Sequence, residues 1–411
     1  MPSLASRLRP PPHVLAAAAA WLPTLGDPHW LAKSLPTHVD VKCSSGPHRA
    51  FMYSEGAPPH MLADNPNAPA ALADKLCRLS PSEMFARMDM QQQQQPAGGV
   101  GADEAEFPRW YYFTARCREL GTEVEAAAEG WKSLVGDPAL SAAVGSPEHP
   151  SLWVGGAGTT TTAHYDVMDN AFVQLHGRKR FRLWGPEAAR ALRVFPDLHP
   201  RARKSQRAQE DIAAIGPAPD FEVVLEAGDA LCVPAFTFHE VEALEMSVSL
   251  NVFSVCRAQL HGSRVLSTPV PVVDGGSAAA NGIGGGRLGV GDLAHALLPR
   301  CGVPDPRRFL VDHVLAPRYR TLLGAPPAPP PFPESPSSHR VQASAVDEGR
   351  LFALVDMVQQ MRGDLSQEGY SDASVDGVLH IILTHLLESW GLQLADGNPE
   401  AVWGMLEDAV A

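Results

Sequence analysis

The sequence predicts a mainly β protein: a double-sheet β-barrel of the jelly-roll type, or double-stranded β-helix, with flanking N-terminal and C-terminal helices. Short apolar runs rich in β-branched residues recur between residues 151 and 253, and glycine turns such as 226–229 separate them. Many short strands with such turns are typical of closed or double-sheet β architectures. Residues 348–410 instead repeat apolar side chains at helical spacing.

The predicted strands share β-branched or alternating composition and, in chain order, are 151–154, 159–166, 170–175, 179–184, 221–225, 230–234 and 248–253. In 179–184, Lys179, Phe181 and Leu183 lie on one face, because successive side chains of a strand alternate. Lys179 is therefore expected to point inward among apolar neighbours. A buried ammonium group needs an anionic partner to offset its desolvation.

A candidate metal site follows from His164, Asp166 and His239. His164 and Asp166 are two residues apart in a predicted strand, so both side chains reach the same side of the sheet. His239 lies far downstream and has to come from a neighbouring strand. Two imidazoles and one carboxylate are the ligands of non-haem Fe(II) sites that leave one face open.

These residues resemble the JmjC, or cupin-type, family of Fe(II)- and 2-oxoglutarate-dependent oxygenases over about residues 110–253. The resemblance implies that His164, Asp166 and His239 bind Fe(II) and that Lys179 binds the distal carboxylate of 2-oxoglutarate. It further implies O2 as a substrate and four more residues near the cosubstrate or metal: Thr161, Tyr112, Asn170 and Asn251. The adjacent Tyr111 is an alternative to Tyr112 for the tyrosine beside the cosubstrate. Asn170 and Asn251 are equally compatible with a local structural role, in which they close hydrogen bonds within a turn or strand edge.

The resemblance leaves the hydroxylated substrate open. Residues 164–170 are similar to the hydroxylases of tRNA wybutosine synthesis, whereas the hairpin 154–163 is more similar to asparaginyl hydroxylases. We therefore expect hydroxylation of a wybutosine-type tRNA base, with a protein side chain as the alternative. A histone demethylase ranks lower, because no zinc-finger cysteine cluster or basic tail is present. A cupin isomerase or lyase with Zn or Ni, or a non-catalytic binding module, ranks lowest.

Charge is distributed unevenly along the chain. The formal net charge of −13 argues against a general nucleic-acid binder. Residues 178–207 nevertheless hold ten basic residues and two acids; the basic ones are Arg178, Lys179, Arg180, Arg182, Arg190, Arg193, Arg201, Arg203, Lys204 and Arg207. This stretch is interpreted either as a rim that binds tRNA or as a solvated loop.

The expected domains are an N-terminal α/β region (1–108), the catalytic barrel (109–260), a Gly/Ala-rich linker (261–303) and a helical region (304–411). Low-complexity residues 91–102 predict a loop, and proline-rich residues 325–338 predict an extended linker.

Helices are predicted at 305–323, 348–361, 375–390 and 399–410. Helices this apolar need a partner surface, either the barrel or a second subunit, so a homodimer through the C-terminal helices is expected. His380 and His385 lie on an apolar helical run and are interpreted as core or interface residues.

The six cysteines show no paired spacing, which predicts reduced thiols and an intracellular protein, cytoplasmic or nuclear. No run reaches transmembrane length, so no membrane partner is expected. Arg7 and Arg9 precede the apolar run 14–22, which is interpreted as a structural helix; an organellar transit peptide is the alternative.

Overall fold

The structure is a computed structural model. It describes residues 13–16, 23–43, 50–51, 75–93, 110–130, 146–199, 201–207, 212–214, 216–273, 289–320 and 346–410. These residues divide into two compact units. The first takes those within Met1–Tyr53, Pro69–Gly185 and Ala218–Arg257; the second takes those within Ser54–Ala68, Pro186–Pro217 and Ala258–Ala411.

The first unit is built mainly from strands. In chain order they are β1 (His13–Ala16), β2 (Val39–Cys43), β3 (Ala50–Phe51), β4 (Lys75–Leu79), β5 (Tyr111–Arg116), β6 (Ser146–Pro147), β7 (Ser151–Gly155), β8 (Thr160–Tyr165), β9 (Asp169–His176), β10 (Lys179–Trp184), β11 (Phe221–Leu225), β12 (Asp229–Val233), β13 (Phe238–Ala243) and β14 (Ser247–Val255). Its helices are α1 (Pro28–Ser34), α2 (Pro81–Gln93) and α3 (Thr122–Ala128).

The described strands form two sheets. The larger has the order β1-β12-β9-β14-β7-β5-β2-β4, with β6 beside β14, and the smaller has the order β11-β10-β13-β8-β3. All pairs are antiparallel except β3 with β8. This arrangement confirms the predicted jelly-roll core with flanking helices.

Strands β9 and β12 of the larger sheet each contribute to two different interiors. Val173 packs in a core shared with α1, α2 and α3, whereas its neighbour Phe172 faces the smaller sheet. The core between the sheets contains Phe172, Phe181, Leu183, Leu225, Leu231 and Val233. The inward face predicted for β10 is confirmed, because Lys179, Phe181 and Leu183 are buried and Arg180 and Arg182 are half-exposed.

The second unit is helical in its described part. Its helices are α4 (Ala189–Leu192), α5 (Arg257–Leu266, which begins at the boundary), α6 (Val290–Leu297), α7 (Pro306–Phe309), a π-helix (Leu310–Arg320), α8 (Glu348–Gln367), α9 (Asp372–Leu394) and α10 (Pro399–Asp408). Helix α9 is buried along most of its length and packs against α6, α8 and α10. The apolar C-terminal helices thus find partner surfaces within their own unit. No helix among the described residues combines the length and apolar character that a membrane span requires.

Several expectations about the N-terminal half are wrong. Residues 13–16 form an edge strand that pairs with β12, not part of a helix. Helix α2 runs to Gln93, three residues into the predicted loop 91–102. The rest of 1–22 and of that loop, residues 274–288 of the predicted linker 261–303, and the predicted linker 325–338 lie outside the described residues. The described ends of the predicted linker 261–303 are partly helical instead, because α5 continues to Leu266 and α6 spans Val290–Leu297.

Two cysteines are paired, which contradicts the expectation of six reduced thiols. Cys43 and Cys77 form a disulfide between β2 and β4. The antiparallel pairing of these strands sets Val41 opposite Cys77 and so brings the two cysteines together across a separation of 34 residues. The remaining four, Cys117, Cys232, Cys256 and Cys301, are thiols outside any disulfide.

The predicted barrel boundaries, 109–260, differ from the observed unit in two main respects. Strands β1 to β4 of the predicted N-terminal region 1–108 join the two sheets of the barrel. The segment Pro186–Pro217 falls between β10 and β11 in sequence, yet it belongs to the helical unit. The packing of its first residues explains this: a Cβ atom on Gly377 of α9 would clash with the backbone nitrogen of Glu187. Helix α9 therefore lies directly against the start of this segment.

Candidate metal centre

Three side chains converge inside the first unit. His164 near the end of β8 lies opposite His239 of β13 in the strand register, and their ring centroids are 4.2 Å apart. Asp166 follows β8, and its Oδ2 atom is 3.5 Å from Nε2 of His239. One ligand atom from each of the three lies within 4.8 Å of the others. This is the only such group of three among the described residues.

Backbone carbonyls orient both imidazoles. Nδ1–H of His164 donates to the carbonyl of Thr162 at 2.8 Å, and Nδ1–H of His239 donates to the carbonyl of Thr237 at 3.1 Å. Because a carbonyl only accepts, each ring carries its proton on Nδ1 and presents the Nε2 lone pair. His239 is buried, whereas His164 and Asp166 are half-buried, so the group is open on one side. The donor set fits a divalent transition metal.

A β-bulge in β8 brings Thr161 to the same side as His164. His239 pairs with His164, and Val241 pairs with Thr161. The two positions are two residues apart on β13 but three residues apart on β8, so β8 contains the extra residue. Regular alternation would place residues three apart on opposite faces. The hydroxyl oxygens of Thr161 and Tyr112 are 3.4 Å apart, so one ligand group can contact both.

The structure separates Tyr112 from Tyr111. Tyr111 lies on the opposite face of β5, in the core beside α2, where its hydroxyl accepts a hydrogen bond from Nη1 of Arg87 at 3.1 Å. Tyr112 pairs with Gly155 of β7. A Cβ atom at position 155 would lie 3.3 Å from the Tyr112 ring and 2.8 Å from the Thr159 hydroxyl. Gly155 therefore leaves the room that the Tyr112 ring occupies.

Lys179 is a buried ammonium group with few polar neighbours. Only 3% of the residue is exposed, and its Nζ donates to the hydroxyl of Ser249 at 2.6 Å. The Nζ atom also lies 5.2 Å from the centre of the Phe172 ring. Burial lowers the pKa of Lys179 to about 7. A single neutral hydroxyl does not compensate a buried charge, so this position suits an anionic ligand.

The two predicted asparagines lie in one hydrogen-bond chain. The indole N–H of Trp153 donates to Oδ1 of Asn251 at 2.6 Å, and Nδ2 of Asn251 donates to Oδ1 of Asn170 at 3.1 Å. The indole fixes which way round the Asn251 amide lies, because it can only donate. Asn170 and Asn251 are thus held by each other. This hydrogen-bond chain is compatible with both roles considered for Asn170 and Asn251, contact with the cosubstrate and local structural support.

The basic stretch 178–207 is divided between the two units. On β10, Arg180 and Arg182 lie on the outer face, where Arg182 binds Glu240 at 2.7 Å and Arg180 binds Glu242 at 3.3 Å. In the second unit, basic residues of this stretch are partly buried, with Arg201 at 9% and Lys204 at 7% exposed. Much of this charge is therefore engaged within the fold.

Three residues beside the candidate site were not predicted. Ser249 binds Lys179, Trp153 binds Asn251, and Asp169 accepts a hydrogen bond from the backbone of Ala235. Ser249 could have been found from the sequence, because it lies two residues before Asn251 and therefore on the same face of β14. The partner of Trp153 lies on another strand and that of Asp169 in the loop between β12 and β13, both distant in sequence, so no local pattern indicates them.

Comparison with known proteins agrees with this architecture. Residues 78–254 match the family model described as a cupin-like domain. The tRNA wybutosine-synthesizing protein 5 of Gallus gallus is 38% identical over 106 residues, which are 24% of this chain and 31% of that protein. Lysine-specific demethylase JMJ31 of Arabidopsis thaliana is 29% identical over 119 residues, 25% of this chain and 20% of that protein. Lysine-specific demethylase 8 of Danio rerio is 30% identical over 107 residues, 25% of this chain and 26% of that protein. The matched segment thus spans less than a third of each of these relatives.

Proposed function

We propose that this chain, which carries a cupin-like domain of the JmjC type at residues 78–254, is an Fe(II)- and 2-oxoglutarate-dependent hydroxylase. One observation carries the proposal: a two-histidine, one-carboxylate group and a buried lysine occupy the same interior between the sheets. Zn or Ni cupins of the isomerase or lyase type share the first feature but have no use for the second.

The strand register supports a bridging dicarboxylate. Lys179 pairs with Ala243, four residues along β13 from His239. The two backbone positions are therefore separated by about 13 Å along the strand direction. The Lys179 side chain and a five-carbon dicarboxylate, placed end to end, can together span this separation.

Each residue has a definable task in this proposal. His164, Asp166 and His239 would hold Fe(II); two neutral imidazoles and one carboxylate leave one positive charge, which suits an anionic cosubstrate. Lys179 would donate to the distal carboxylate, with hydroxyls from Thr161 and Tyr112 beside it. When bound, Fe(II) and 2-oxoglutarate supply the oxidation of a C–H bond by O2.

The activity is tested by metal binding and by 2-oxoglutarate turnover. His164→Ala and Asp166→Ala proteins should lose stoichiometric Co(II) binding, followed by absorption, and should form no succinate from 2-oxoglutarate with Fe(II). His176→Ala is the matched control, because His176 binds only the carbonyl of Gly26 outside the site. Parent-like metal binding by both ligand variants would reject the assignment.

For the substrate, we propose a wybutosine-type base of tRNA, with a protein side chain as the second candidate. The matches to tRNA wybutosine-synthesizing proteins support the first candidate. The second candidate is kept because other relatives, at 29% and 30% identity, are named lysine-specific demethylases, which are named for a protein side chain. The acidic net charge and the engaged arginines of β10 favour the second.

Mass spectrometry distinguishes these two substrates. The protein is incubated with Fe(II), 2-oxoglutarate and either tRNA containing the wybutosine precursor or candidate peptides, and a gain of one oxygen is measured. A tRNA substrate should also bind with a salt dependence that reports each phosphate contact, with a slope of about 0.7 to 0.9 per contact.

A charge-matched pair of variants locates the contact. Arg203→Gln with Arg207→Gln removes two half-exposed charges and spares the buried Arg201 and Lys204. Arg116→Gln with Arg118→Gln removes the same charge from two exposed positions outside the basic stretch 178–207. If the two double variants bind tRNA with equal affinity and equal salt slope, the stretch 186–217 does not hold the nucleic acid, and the protein substrate becomes the leading candidate.

A further inference from the structure

Two loops near the three converging side chains are joined to each other by backbone hydrogen bonds. One loop connects β8 to β9 and carries Asp166; the other connects β12 to β13 and precedes His239. The backbone N–H of Phe236 donates to the carbonyl of Asp166 at 2.7 Å. The backbone N–H of Ala235 donates to Oδ1 of Asp169 at 2.9 Å. These two bonds connect the segments that supply two of the three candidate ligands.

Asp166 needs such support more than the two histidines do. His164 and His239 lie within β8 and β13, and the sheet ladder pairs them directly. Asp166 follows the end of β8, so no ladder hydrogen bond of that strand fixes its backbone. The bond from Phe236 supplies the missing constraint at the Asp166 carbonyl.

The loop that provides these donors has an unusual conformation. Phe236 has a φ angle of +61° and is 1% exposed. Bulky residues rarely adopt the left-handed region, and such a residue persists only where its surroundings determine it. Its ring stacks on Tyr165 with centroids 5.8 Å apart, and Tyr165 also meets Phe238 edge to face at 5.1 Å. The strained backbone directs two successive N–H groups towards the opposite loop.

We infer that Asp169 is a positioning residue of the metal centre, which it acts on through the loop Pro234–Thr237 without being a ligand. Its carboxylate holds the N–H of Ala235, and this fixes the neighbouring N–H of Phe236 on Asp166. The inference rests on the proposed metal site, and it assigns the acceptor oxygen of residue 169, not its charge, as the functional feature.

Three variants separate these contributions. Asp169→Ala removes the acceptor, Asp169→Asn keeps an acceptor oxygen but removes the charge, and Asp229→Ala is the matched control. Asp229 also accepts a hydrogen bond from a backbone N–H, that of Glu226 at 2.9 Å, but in the β11–β12 turn. Each protein is titrated with Co(II), and both the affinity and the visible absorption spectrum are recorded, because the spectrum reports ligand geometry.

Asp169→Ala should weaken Co(II) binding about 10- to 100-fold, the usual effect of removing a group that orients metal ligands, and should alter the spectrum. Asp169→Asn and Asp229→Ala should retain the parent affinity and spectrum. If Asp169→Ala binds like the parent, or if Asp169→Asn is as impaired as Asp169→Ala, the inference is overturned while the metal site stands. Absence of Co(II) binding by the parent overturns both.

A second variant covers the case in which Asp169→Ala does not fold. Phe236→Gly keeps the backbone N–H and tolerates a positive φ angle, but it removes the ring that holds the loop on Tyr165. It should bind Co(II) about tenfold more weakly, with an altered spectrum. Parent-like binding by Phe236→Gly would then overturn the inference.

Discussion

The pH dependence of 2-oxoglutarate binding tests the role proposed for Lys179. Burial lowers the pKa of this lysine to about 7, so the ligand-free protein loses the ammonium charge as pH rises through neutrality. A dicarboxylate binds the charged form, and binding above pH 7 must therefore take up a proton. The charged fraction falls from about one half at pH 7 to about one hundredth at pH 9, which predicts a roughly fiftyfold loss of affinity.

Isothermal titration calorimetry of the Co(II)-loaded protein measures this directly. Titrations in two buffers of different ionisation enthalpy should show uptake of nearly one proton per 2-oxoglutarate at pH 8.5. Lys179→Met has a side chain of similar length without the charge and should bind 2-oxoglutarate weakly, without this pH dependence. Equal affinity of the parent at pH 7 and pH 9, or an equal pH dependence in Lys179→Met, would refute the reasoning.

The same pKa makes an independent prediction about stability. Between pH 7 and 10.5 the unfolded chain holds a proton on Lys179 that the folded protein lacks, so the free energy of unfolding rises with pH in this window. Lys179→Met should be more stable than the parent at pH 7, and this advantage should shrink by roughly 2 kcal/mol at pH 9. Urea denaturation at the two pH values measures it, and a constant difference would contradict the buried ammonium.

Two further predictions concern matched pairs of side chains. Tyr112→Phe should weaken 2-oxoglutarate binding because it removes the hydroxyl beside Thr161, whereas Tyr111→Phe should leave binding unchanged and cost about 1 kcal/mol of stability; calorimetry and urea denaturation decide, and the reverse outcome would exchange the two assignments. In the second unit, Arg318 binds Glu388 at 2.9 Å with side-chain exposures of 6% and 0%, so Arg318→Met should destabilise the protein by about 3–5 kcal/mol. The double variant with Glu388→Leu should recover part of that loss in urea denaturation, and additive losses would show that the two charges do not depend on each other.

Local patterns in the sequence were sufficient for the parts of the site that lie on one strand. The spacing of His164 and Asp166 and the alternation around Lys179 state directly which side chains share a face. The alternation on β5 could not decide between Tyr111 and Tyr112, because the strand has cores on both sides. The hydrogen bond from Arg87 of α2 to the Tyr111 hydroxyl assigns Tyr111 to the face away from the metal centre.

Features that depend on pairing between distant segments were not accessible in the same way. The bulge that turns Thr161 towards His164 exists only relative to β13, and the disulfide Cys43–Cys77 exists only because β2 pairs with β4. The family resemblance supplied Thr161 without its physical reason. No local pattern indicates the disulfide. The same holds for the strand at 13–16, where a helix is predicted, because its partner strand lies more than 200 residues downstream.

The register between β10 and β13 explains why the proposed cosubstrate is easier to infer from the sequence than the proposed substrate. A slip of one residue would turn Lys179 to the outer face, beside the glutamates that bind Arg180 and Arg182, so the sheet fixes both the presence and the distance of the cationic group relative to His239. The loops that carry Asp166 and Phe236 and the segment Pro186–Pro217 have no such constraint from a ladder. Under the proposed function, exchanging the segment Pro186–Pro217 with that of a relative is therefore expected to change which molecule is hydroxylated, while leaving the dependence of succinate formation on 2-oxoglutarate intact.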